Sequence, residues 1–311
     1  MYQSDDVPLI LQNGIRLHRF EQIIKSIHFN DNALLDKNDR LYKLRPLIST
    51  LNENFRKHGG LAENISIDES MIPYYGKHYA KQFIKGKPIR FGFKNWALCF
   101  SDGYMTSFEI YTGKSADTVE NTFGIGGDVV MRLIKNCEIP SNKGHKMFFD
   151  NYFTSVKLVE HLTKKGYCAT GTIRSNRTEK CPLISENEMQ KSLRGCSDFK
   201  TTENEDVCLV RWKDNKVVTV VTNFDDIAVS SCSRWSKESK SKINIPQPKV
   251  YANYKKHMGG VDKMDQLVVA YRSRIRQRKW WWPIFSYLFD VSVVNAWLMM
   301  KKTTPNRRQM Q

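Results

Sequence analysis

The alternation of apolar and polar positions divides the chain into helical and extended stretches. Over residues 15–28, Leu17, Phe20, Ile23, Ile24 and Ile27 recur at helical spacing, and Asn30, Asp31 and Asn32 then make a turn. A second helical stretch runs from Leu41 to Phe55 and ends near Gly59 and Gly60. The texture then changes. Ile65 to Ile67 is a short β-branched run that delivers Asp68 and Glu69. Asn95 to Ser101 and Met105 to Thr112 alternate as two strands about Asp102-Gly103, residues that tolerate the backbone of a tight hairpin turn. Ser115 and Asp117 precede a helical region that ends at about Cys137. Lys146 to Phe149 form a short apolar strand with Asp150 at its C-terminal end, and Thr154 opens a helix that stops at Gly166.

Strand, strand, strand, helix, strand, helix is the order of an RNase H-like α/β core, in which the acid of the first strand lies beside the acid ending the fourth. From about Asn176, short strands and turns take over, including Cys208 to Trp212 and Val217 to Thr222 around Asp214-Asn215, with Ser230 to Ser241 as a serine- and lysine-rich linker or loop. Residues 176–249 therefore read as a β-rich insertion between parts of the core. Gly259-Gly260 breaks the chain before a helix in which Asp262 and Asp265, three apart, share a face. The late apolar stretch, Pro283 to Met300, is interrupted by Asp290 and Asn295, so it predicts a buried helix closed by Trp297 to Met300 rather than a membrane span.

Charge changes this picture. Lys and Arg total 49 against 32 Asp and Glu, a net charge of +17 over 311 residues, which points to a polyanionic partner. Lys77, Lys81, Lys85, Lys87, Arg90 and Lys94 follow one another with no acid between them, and Arg272, Arg274, Arg276, Arg278 and Lys279 precede three tryptophans. Such runs grip phosphates, or else form solvated faces. The second alternates so that a helix would carry its charge on more than one face. Trp280, Trp281 and Trp282 read as packing residues ahead of base-stackers, and His257 as structural or a phosphate contact.

Within this basic frame, Asp68, Asp150 and Asp262 each stand where an element begins or ends. DNA phosphate repels a carboxylate unless a divalent cation lies between them, so acids in a basic frame suggest a metal site. Taken singly, each has another explanation: Asp68 as a solvated strand-end acid, Asp150 as a helix cap, and Asp262 as a cap with Asp265 completing the first turn. Seven scattered cysteines show no CxxC pair and no histidine at zinc spacing, so no zinc site is expected and a reducing compartment fits. The sequons at Asn64 and Asn176 are then chance matches.

The stretches SIDESMIPYYG, KGKPIRFGFKNW, FFDNYFTS, ATGTIR, VYANYKKHMGGVDKMDQ and YRSRIRQRKWW resemble the piggyBac transposase family, in family order over nearly the whole chain. The resemblance implies a nuclear DDD transposase that cuts and pastes DNA at TTAA, with Asp68, Asp150 and Asp262 as catalytic acids and Asp265 as a supporting metal ligand. It implies Mg²⁺ or Mn²⁺, two ions, as cofactor, and double-stranded DNA and a second copy of the chain as partners. Residues 1–62 and 271–311 would be two parts of one helical dimerisation and DNA-binding domain, and 63–175 with 250–270 the catalytic core. Against the family pattern, the first helical part starts late and no cysteine-rich zinc domain follows the last. An intact acid triad favours an active enzyme; the alternative is a domesticated, catalytically silent DNA-binding protein.

Overall fold

The computed structural model describes residues 14–113, 122–204, 206–273, 275 and 277–304. Two compact units divide between Thr50 and Leu51. In the first, α1 (Leu17–Ser26) follows the predicted periodicity, and Asp39 pairs with Arg45 at 2.8 Å. The second predicted helix begins later than Leu41: a 3₁₀ turn at Tyr42–Leu44 leads into α2 (Arg45–Gly59), which spans the division. Pro46 explains the displacement, because proline is tolerated in a first turn, where the backbone N–H has no helical partner anyway.

The second unit is built on a sheet with nine strands among the described residues. Its centre is β1 (Asn64–Pro73), flanked by antiparallel β3 (Phe91–Phe100) and parallel β5 (Lys146–Phe149). The sequence pattern predicts only Ile65 to Ile67 as strand. The element runs ten residues because β3 pairs with it from Ile65 to Pro73 and β5 from Asn64 to Ile67, and a local pattern cannot register such partners. β2 (Gln82–Phe83) pairs with the first residues of β3, and β4 (Met105–Ile110) with its remainder. The predicted hairpin turn is present: Gly103 has φ +96°, a backbone conformation open to glycine.

After α3 (Gly124–Asn136), β5, α4 (Val156–Lys164) and β6 (Cys168–Thr172), the chain enters the region predicted as β-rich. A short helix, α5 (Glu186–Lys191), leads to β7 (Ser197–Thr201), β8 (Cys208–Lys213) and β9 (Val217–Thr222). These three strands extend the core sheet, with β9 antiparallel to β6, so this part of the 176–249 segment is continuous with the core sheet. Ser230 to Ser241, predicted as linker or loop, instead supplies most of β10 (Val229–Ser236) and the turn into β11 (Ser241–Pro248), which form a separate two-stranded sheet. Antiparallel pairing satisfies the backbone of this polar, serine-rich ribbon. Val210, Trp212, Val220, Ile245, Val250 and Tyr251 form a core that ties it to β8, β9 and α6 (Lys249–His257).

The chain then returns to β1 as α7 (Gly260–Ala270) and α8 (Trp282–Thr303). By length and composition α8 could cross a membrane, but Ile284, Leu288, Val291, Val294 and Leu298 are buried in the fold, where α8 meets α7 and β1. Its polar interruptions have partners. The Asn295 amide donates to Met105 O at 2.8 Å and accepts from Met105 N at 3.0 Å, and Asp290 accepts from Ser273 N at 3.0 Å. The described part of 271–311 therefore packs on the core sheet.

Candidate active site

Asp68 and Asp150 come together through strand register. In the parallel pair, Asn64 aligns with Lys146 and Ile67 with Phe149, so the next residues in line are Asp68 and Asp150. Asp68 lies on the face shared by Ser66 and Ser70, since alternate strand residues point the same way. Burial, then the neighbouring charges of Glu69 and Asp150, push its carboxyl up to about 8. Asp150 is also raised by burial, against the hydrogen bond it accepts from Tyr152 N at 2.9 Å.

The turn after Asp150 is held from two sides. Thr154 Oγ1 donates to Asp150 O at 2.6 Å, while Arg177 Nη1 reaches the carbonyls of Asn151, Tyr152 and Thr154 at 3.1, 3.0 and 3.2 Å. Because the Thr154 hydroxyl is so used, the helix starts two residues beyond the predicted point: Ser155 caps α4, accepting from Leu158 N at 3.2 Å. Arg177 was not a sequence candidate. One arginine among many carries no local signal of the carbonyls it will meet.

α7 brings the remaining acids. Gly260 lets it approach closely: a Cβ there would lie 2.5 Å from both Phe100 O and Ser66 Oγ. Ser70 Oγ donates to Asp265 Oδ1 at 2.7 Å and lies 3.0 Å from the Tyr287 hydroxyl. Burial pushes the Asp265 carboxyl up to about 6; the Ser70 hydrogen bond opposes this and the Asp262 charge adds to it. Asp262 is exposed in the first turn of α7. Among the described residues, no group of three or more His, Cys, Asp or Glu is disposed to hold a metal ion.

Two lysines of the first basic run turn towards these acids. Lys87 Nζ lies 3.2 Å from Glu69 Oε1; burial weakens its proton affinity, but Glu69, Asp68 and Asp262 together raise it above the usual value. Lys94 Nζ sits 3.7 Å from the Trp96 ring centre and 4.5 Å from that of Tyr152, and burial lowers its proton affinity. Lys77, Lys85 and Arg90 are exposed, whereas Lys81 donates to Gly76 O at 2.9 Å. Of the second run, the described residues 272, 273, 275 and 277 are irregular, and α8 starts at Trp282. Arg272 and Arg278 are exposed and Lys279 partly buried, while Arg274 and Arg276 lie outside the described residues. The tryptophans pack as predicted, Trp281 and Trp282 buried and Trp280 stacked on His78 at 4.2 Å. His257 Nδ1 lies 3.0 Å from Ser101 Oγ and its ring stacks on Phe148.

Comparison with known proteins agrees with this architecture. The family model described as Transposase IS4 matches residues 5–297. PiggyBac transposable element-derived protein 2 of Homo sapiens is 39% identical over 289 residues, covering 93% of this chain and 49% of the relative. PiggyBac transposable element-derived protein 3 of Homo sapiens is 38% identical over 301 residues, covering 96% of this chain and 51% of the relative. The chain thus spans about half the length of these curated relatives. A cryo-EM structure of a piggyBac transposase synaptic complex with hairpin DNA shares the fold, with TM-score 0.79 and 21% identity over 99% of this chain and 64% of that one. With its RNase H-like α/β core and a family match that runs almost from end to end, the chain belongs to the transposase IS4 family, piggyBac type.

Proposed function

We propose that this chain carries the DNA-cleaving and strand-joining centre of a cut-and-paste transposase. The observation that carries the reading is Asp68 beside Asp150: two partly buried carboxyls in adjacent register, one pushed up to about 8 by burial and by its acidic neighbours. Ionised together they repel, and a divalent cation would relieve that repulsion. The donors suit Mg²⁺ or Mn²⁺, since hard cations favour carboxylate oxygen. Asp68 and Asp150, already in adjacent register, would hold one or two ions, and Asp262 supported by Asp265 would have to draw in from α7 to complete the ligand set. When bound, such ions supply activation of the attacking oxygen and stabilisation of the leaving oxygen of a phosphodiester.

The protein's own groups prepare this chemistry. Arg177 and Thr154 fix the turn that carries Asp150, and Ser70 orients Asp265. Lys77, Lys85, Arg90, Arg272 and Arg278 are exposed for phosphate contact. By family likeness the substrate is duplex DNA with a TTAA target, the compartment is the nucleus, and the working form is a homodimer using residues 1–62 and 271–311.

Nicking of a DNA hairpin in Mg²⁺ or Mn²⁺ tests the reading. Asp150→Asn should lose at least about 10²-fold in rate, because metal assistance contributes several kcal/mol, while still shifting DNA on a gel. Equal cleavage by the variant would refute the assignment. The relatives whose names mark them as transposable element-derived favour a second reading, a domesticated DNA-binding protein without turnover. That reading predicts no metal-dependent cleavage by the parent chain and an undiminished gel shift.

A further inference from the structure

The basic loop between β2 and β3 sends one lysine back onto the acids. Lys87 Nζ stands 3.2 Å from Glu69 Oε1, and Glu69 is the residue after Asp68. The other Glu69 oxygen is buried without a hydrogen-bond partner among the described residues, so Lys87 supplies the ion pair seen on this carboxylate. Lys94 lies over the rings of Trp96 and Tyr152 and feels the charges of Glu69, Asp150 and Asp68, but among the described residues the ion pair with Glu69 is made by Lys87. The Lys87 side chain keeps 37% of its surface exposed, and a flexible four-carbon stem lets its ammonium leave without unpacking the core.

We propose that the Lys87 ammonium is the resident counter-charge of this acid cluster, held on Glu69 beside Asp68 until a divalent ion displaces it towards the exposed side of the loop. The inference rests on the metal-dependent reading above. Two cations a few ångströms apart in a partly buried site repel strongly, so the ammonium and the divalent ion compete for the same negative field. Lys85 and Arg90, exposed in the same loop, mark the side on which a released Lys87 would meet phosphate. Loading the metal would thereby add a phosphate-binding cation, coupling the two ligands.

Mn²⁺ titrations of the metal-free chain, with free ion counted by electron paramagnetic resonance, test this. Lys87→Gln should bind Mn²⁺ on the order of tenfold more tightly, because a competing charge is gone, whereas Lys87→Arg keeps that charge and should stay close to the parent. On the unaltered chain, acylation of Lys87 by an amine-reactive ester, mapped by peptide mass, should rise several-fold relative to Lys85 at saturating Mn²⁺. That second measurement stands even if Lys87→Gln fails to fold. Parent-like or weaker Mn²⁺ affinity in folded Lys87→Gln, or labelling of Lys87 indifferent to Mn²⁺, would overturn the inference while leaving an Asp150-dependent Mn²⁺ site intact. Loss of that site itself, seen as equal Mn²⁺ binding by parent and Asp150→Asn, would remove the metal reading and this inference together.

Discussion

The Ser70 hydroxyl donates to Asp265 Oδ1 at 2.7 Å, joining residues 195 positions apart and fixing an acid of α7 against the central strand. The same hydroxyl lies 3.0 Å from the buried Tyr287 hydroxyl of α8. One small side chain on β1 therefore holds both returning helices. Ser70→Ala should destabilise the fold by about 1–3 kcal/mol, the cost of stripping partners from buried polar groups. Denaturant unfolding checks it, and an unchanged midpoint would show that neither partner needs Ser70.

Gly260 sets how near α7 approaches the sheet. A Cβ would meet Phe100 O and Ser66 Oγ, both at 2.5 Å, and the backbone carbonyl cannot rotate away. Gly260→Ala should therefore cost about 1–3 kcal/mol by overpacking and displace Asp262 and Asp265. The expected outcome is a lower melting temperature together with weaker Mn²⁺ binding. Parent-like values of both would mean that the close approach is not needed.

Asp68 makes metal-free stability depend on pH. Its carboxyl is pushed from an ordinary value of 3.8 up to about 8, so between these values the folded chain holds a proton that the unfolded chain has released. The folded state then binds more protons, and stability falls as pH rises through this window. Asp265, raised to about 6, adds in the same direction over its lower part. With a chelator present, the melting temperature should fall between about pH 4 and 8, and Asp68→Asn should flatten the fall. A profile that rises with pH, or an unaltered slope in the variant, would contradict the assignment.

The arginine run should be legible in salt dependence. If Arg272, Arg274, Arg276 and Arg278 neutralise about four phosphates, replacing them with alanine should flatten the log-affinity against log-salt slope by roughly 3 to 4 units. An unchanged slope in a folded variant would make the run a solvated surface. Duplex contact would then come from the exposed Lys77, Lys85 and Arg90 of the first basic run.

Local patterning carried much of the fold. α1, the β3–β4 hairpin with its turn at Gly103, and β5 all follow from periodicity and turn chemistry, because each is specified by residues close in sequence. The adjacency of Asp68 and Asp150 and the piggyBac likeness were likewise legible, since element order and short motifs are properties of the chain itself.

Tertiary structure decided the rest. It extended β1 from three predicted residues to ten, turned the serine-rich 230–241 stretch from linker or loop into paired strand, and joined β7 to β9 onto the core sheet. Backbone pairing across the sheet supplied the stabilisation in each case, and no sequence window contains its own partner strand. It also distinguished Lys87 and Lys94 from the exposed cations of the same run, and found the Arg177 clamp behind Asp150. A lysine or arginine reads alike anywhere in a sequence; which charge, ring or carbonyl it meets is settled only when distant segments pack together.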